Sequence, residues 1–86
     1  MEKMSYWINK LLYDMGPALY ERLKAKDETV FIEYPVTPEE RQALWKSIDE
    51  KAFKPLYDMG VIPVLLFTFA RQCGCSVSEY TELLKQ

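Results

Sequence analysis

Met59-Gly-Val-Ile-Pro-Val-Leu-Leu-Phe-Thr-Phe-Ala-Arg71 is the stretch on which the fold turns. Gly60 ends whatever precedes it, Pro63 suits the first turn of a helix, and the residues that follow are apolar in every direction. At a helical rotation, Val61, Leu65 and Phe69 point one way and Val64, Phe67 and Thr68 another. A helix that is hydrophobic all round is buried all round. In a chain of 86 residues one central helix, spanning about residues 62–73 and wrapped by the others, meets that condition. The alternative is that one of its faces meets another protein.

Outward from this stretch the chain is punctuated as helices. Gly74 closes the central helix, and Ser76-Val77-Ser78-Glu79 is a capping box that opens the next, with Tyr80, Leu83 and Leu84 on its apolar side. Upstream, Thr37-Pro38-Glu39-Glu40 is a second capping box with proline at the first helical position, leading to Ala43, Leu44 and Ile48. Glu39 and Glu40 are better explained by capping and the helix dipole than as a catalytic acid pair. A short helix running from Asp49 to Met59, restarted at Pro55, is expected between these two. At the other end Ser5 can cap a helix carrying Trp7, Ile8, Leu11, Leu12 and Met15. Gly16-Pro17 separates it from a helix bearing Leu19, Tyr20 and Leu23, and Asp27 caps a short turn with Val30, Phe31 and Tyr34. Val30-Phe31-Ile32 read alone is also a strand, with no second strand to pair with. The expectation is all-α: a compact orthogonal bundle of about six short helices, one domain over residues 1–86. Leu-Tyr-Asp-Met-Gly occurs twice, at 12–16 and 56–60, and similar duty at two helix ends explains the echo better than a repeat architecture.

The composition excludes more chemistry than it suggests. There is no His, which removes the commonest general base, the Ser-His and Cys-His nucleophile pairs and the facial-triad iron site. Three isolated glycines build no phosphate loop. Cys73-Gly74-Cys75 is neither a C-x-x-C redox motif nor a zinc site by itself, and a disulfide so close would be strained, so two thiols in a cytoplasmic protein is the expectation. Arg71 nearby could activate them, though a small-residue helix end explains them as well. Eleven Lys and Arg are interleaved with thirteen acids, so no basic stripe invites nucleic acid. The N-terminus lacks the plan of a signal peptide. The run Val61–Ala70 is about half the ~20 residues of a membrane span and contains Pro63.

Three segments together carry a resemblance. Tyr34-x-Val-Thr-Pro-Glu-Glu-Arg-x-Ala-Leu44, Leu56-Tyr-x-Met-Gly-Val-x-Pro-x-Leu-Leu66 and Ser76-x-Ser-Glu-Tyr80 resemble the LigA-type domain. That domain is the small alpha subunit of extradiol ring-cleaving dioxygenases of the protocatechuate 4,5-dioxygenase type. Leu19-x-x-Arg-Leu-Lys24 and Phe31-x-x-Tyr34 fit the same plan, so the likeness runs from about Tyr13 to Leu84. It implies an all-helical, non-catalytic subunit in a hetero-oligomer. The catalytic beta subunit would hold non-haem Fe(II) and cleave a catechol-type ring with O₂, and the alpha subunit would pack beside that site and close it over the shared aromatic substrate. No catalytic residue, metal ligand or cofactor is expected in this chain. Where family members often carry Asn or His after the glycine, Ile62 stands here, so closure would be hydrophobic, through Ile62, Pro63 and Phe67, with Gly60 and Leu66 in the same stretch. Trp45, like Trp7, is weighed as an interface anchor against core packing. The same fold also resembles the recognition domain in precursors of backbone N-methylated peptides. That resemblance gives the second expectation: a docking or leader-like domain that presents a substrate to a methyltransferase. The end of the chain at Gln86, with no apolar tail, counts against this reading.

Overall fold

Both capping boxes form. Thr37 Oγ1 accepts from the Glu40 amide at 3.1 Å while the Glu40 carboxylate accepts from the Thr37 amide at 2.8 Å. Ser76 and Glu79 repeat the arrangement at 3.1 and 2.8 Å. Each box satisfies two backbone donors that a helix start leaves unpaired. Helix stops are equally local. After Leu56-Tyr57-Asp58-Met59, the Gly60 and Val61 amides donate back to Tyr57 and Leu56; after Ala70-Arg71-Gln72-Cys73, Gly74 and Cys75 donate to Arg71 and Ala70. Both glycines take positive φ (94° and 97°), the Schellman geometry that favours glycine, and Val61 and Cys75 turn inward behind them.

A computed structural model describes residues 6–85, and in it these signals delimit seven helices with no strand among the described residues. They are α1 (Tyr6–Tyr13), α2 (Pro17–Lys24), α3 (Val30–Glu33), α4 (Pro38–Glu50), α5 (Lys54–Asp58), α6 (Pro63–Gln72) and α7 (Val77–Lys85). Ser5, expected to cap the first helix, lies outside the described residues. Val30–Ile32 is helical, so the strand alternative falls. Asp49 belongs to the end of α4, which runs to Glu50, and the separate short helix begins only at Lys54. Two of the stops have no glycine: Lys26 and Lys51 sit at φ 60° and 57°, a conformation that costs an L-residue about 1–2 kcal/mol.

The core is one cluster. Ile8, Leu11, Leu23, Val30, Leu44, Phe53, Leu56, Leu66 and Phe69 are sealed from water, and Phe53 meets Phe69 and Tyr80 with ring centroids 6.2 and 6.1 Å apart. The central position of α6 holds, since α1, α5 and α7 all pack on it. Its burial is one-sided, however. Leu66, Phe69 and Ala70 face the core, whereas Ile62, Pro63, Val64, Thr68 and Arg71 lie in the open. These neighbours, with Tyr20 of α2 against Phe69 at 6.4 Å, reach the inner side of α6, and the side left uncovered includes the apolar residues at its start.

Candidate partner-docking face

The loop that delivers the start of α6 is held from across the molecule. Asn9, on the inner face of α1 and only 7% exposed, accepts a hydrogen bond from the Ile62 amide at 2.7 Å and donates from Nδ2 to the Gly60 carbonyl at 3.3 Å. One side-chain amide thus satisfies two backbone groups of the turn between α5 and α6 and ties α1 to it. With the Schellman bonds behind it and Pro63 ahead, the backbone of residues 60–63 has little freedom. The side chain of Ile62 then projects outward, 44% exposed, followed by Pro63 and Val64, the latter 65% exposed.

Two open grooves flank this ridge. One, of about 640 Å³, runs between α6 and α7, lined by Pro63, Val64 and Phe67 from α6, by Tyr80, Thr81 and Leu84 from α7, and by Tyr57 of α5. The Phe67 ring packs on Tyr80 with centroids 5.5 Å apart. The second, of about 260 Å³, lies between α6 and α1 and is lined by Tyr6, Asn9, Lys10, Tyr13, Ile62 and Leu65. Tyr6 stacks edge-on against Trp7 at 5.1 Å, and Trp7 is exposed rather than core.

The echoed pentapeptide takes on meaning here. Each copy ends a helix with a buried leucine (Leu12, Leu56), an exposed tyrosine (Tyr13, Tyr57) and an aspartate paired to a lysine one turn back, Lys10–Asp14 at 3.3 Å and Lys54–Asp58 at 3.0 Å. The copies differ at the glycine. Gly60 is left-handed, whereas Gly16 is extended (φ −110°) and leads into α2. Their tyrosines stand beside the two grooves on either side of α6.

Of the six residues singled out from sequence, Gly60, Ile62, Pro63 and Phe67 come together on this face. Leu66 does not: it is fully buried, because it shares the inner side of α6 with Phe69 and Ala70, whereas Ile62 precedes the helix as its extended N-cap and escapes that side. Trp45 lies elsewhere, half-buried on α4 against Phe31 (5.6 Å) and beneath the Lys26 ammonium (5.5 Å). Sequence reasoning missed Asn9, Tyr6 and Val64, and the tyrosines at 13 and 57 suit a core edge or an interface equally when read from sequence.

Titratable groups add nothing reactive. Burial pushes the Cys73 thiol up to about 11, against the opposing pull of the Tyr20 hydroxyl, and burial likewise raises Tyr20 to about 12, helped by Cys73. Cys75 is also raised by burial. Thiols held protonated are poor nucleophiles. Among the described residues no three His, Cys, Asp or Glu side chains gather as a metal site would require, and no helix is long and apolar enough to cross a membrane. Comparison with known proteins returned no match, whether to a family model, to a curated protein or to a solved structure.

Proposed function

We propose that this chain is a non-catalytic helical subunit that docks, through the face centred on Ile62 and Pro63, on a larger enzyme whose chemistry it completes. The observation that carries the reading is the fixed ridge Ile62-Pro63-Val64, three consecutive residues that are apolar and open to solvent at the start of the helix packed most centrally in the domain. Contiguous exposed apolar surface rimmed by polar residues marks interaction sites in soluble proteins. The likeness to LigA-type domains supplies the partner. It is an extradiol dioxygenase beta subunit that brings its own Fe(II), and the ridge excludes water from the aromatic pocket they share. The test is affinity purification of the tagged chain from its native host, beside a Val64→Glu chain, with iron and catechol cleavage assayed on each eluate. The proposal expects a stoichiometric, iron-bearing, ring-opening partner with the first chain and its loss with the second. A stoichiometric iron-free partner such as a peptide methyltransferase would replace the dioxygenase reading with that of a recognition domain.

A further inference from the structure

Two properties of the α6 face bear on what covers it when no enzyme is present. The first is its extent. Tyr6, Tyr13, Tyr57, Ile62 and Val64 are between 44% and 73% exposed, leaving on the order of 500 Å² of mostly apolar surface uncovered. Two such faces brought together would bury about 1,000 Å², the size that a specific interface must reach. The second is its charge. A symmetric pair sets each residue against its own surroundings across the axis, so a face of one sign repels its copy. This one does not. Among the described residues lining the two grooves, Lys10 is the only charged one, and Asp14 neutralises it from the same helix end. The neighbouring Lys54 and Asp58 cancel in the same way.

Shape agrees with size and charge. The face carries both projections, the Ile62–Val64 ridge and the exposed Tyr13 ring, and recesses beside them, the grooves that Tyr57 and Tyr6 help to line. An isologous pair needs both on one surface, since each copy must offer what the other receives. We propose that the free chain associates with a second copy of itself through this face, so that the enzyme partner and the second copy compete for one surface. The inference rests on the same ridge as the proposed docking but not on the identity of the enzyme.

Sedimentation velocity of the purified chain from about 5 to 500 µM tests it without any partner. The wild-type chain is expected to pass from one to two copies across that range. Val64→Glu places a carboxylate in the first turn of α6, where the helix dipole favours it, and leaves the core untouched. Its circular dichroism should match wild type while its self-association weakens at least about tenfold, because two added carboxylates face each other across the axis. Ile32→Glu, on α3 and 80% exposed, should leave association unchanged. A wild-type chain that stays monomeric throughout overturns the inference and leaves the enzyme reading standing. Undiminished association by Val64→Glu, or its loss with Ile32→Glu, overturns it by placing the contact elsewhere.

Discussion

Replacing Asn9 by Ala should unfasten the docking ridge from within. The substitution removes the acceptor for the Ile62 amide at 2.7 Å and the donor to the Gly60 carbonyl at 3.3 Å. The two losses are unequal. Gly60 is exposed, so water can replace the longer bond and its loss costs about 0.5 kcal/mol. The bond from the Ile62 amide is the shorter and is partly buried against Asn9, and leaving that amide without an acceptor costs about 1–3 kcal/mol. Together the change destabilises the domain by about 1.5–3.5 kcal/mol, a melting temperature lower by roughly 6–28 °C at this chain length. Asn9→Asp separates the two bonds. It keeps the acceptor but turns a carboxylate oxygen on the Gly60 carbonyl, so at pH 7 it should fall between wild type and alanine or below both. Protonation restores a donor, so its deficit relative to wild type at the same pH should shrink near pH 4. Urea unfolding followed by circular dichroism gives the energies, and amide exchange at Ile62 gives the site. If Asn9→Ala unfolds within about 0.5 kcal/mol of wild type, or the Ile62 amide exchanges no faster, Asn9 is not the clamp and the ridge owes its position to something else.

Lys51→Gly should raise stability by about 0.5–1 kcal/mol, since the φ of 57° at the end of α4 strains lysine and not glycine; an unchanged or lower urea midpoint would contradict the strain. Gly60→Ala should cost about 1–2 kcal/mol from backbone strain alone, because an added Cβ there meets no atom within 4 Å; a neutral result would show that the turn relaxes. Thr37→Ala removes the cap of α4 and should cost about 1 kcal/mol in thermal denaturation. Stability should also fall in alkali. The folded Cys73 and Tyr20 hold their protons to about 11 and about 12, above the 9.0 and 10.0 of the free groups. Their contribution is therefore complete below about pH 9 and is lost as pH rises through the folded values. A melting temperature that stays flat from pH 8 to 11.5 would count against that burial.

Legibility in the sequence followed the range of the interactions. Thr37–Glu40, Ser76–Glu79, Gly60 and Gly74 could be read because each signal and its structural consequence lie within a few residues. Lys26 and Lys51 could not, since nothing in a lysine announces a left-handed stop; tertiary packing imposes it. The end of α4 was misplaced for the same reason. Of the candidate site, the run 60–67 stood out by its hydropathy, but which of its residues face outward did not. That depends on α1, α5 and α7 arriving on one side of α6, and Leu66 and Val64 exchange their apparent roles accordingly. Asn9 was out of reach: its partners are 51 and 53 positions along the chain, and a lone asparagine on an apolar helix side carries no pattern. Trp7 and Trp45 read alike in sequence yet differ in place, one exposed beside the docking face and one half-buried on α4.

The claim that the ridge is the docking surface is tested most directly by photo-cross-linking in the native host, with a photoreactive residue at position 64 and, separately, at position 32. The account predicts that position 64 joins the chain to one larger protein, beside the product that contains two copies of this chain, and that position 32 captures neither. Capture of the larger protein from position 32, or none from position 64, would contradict it.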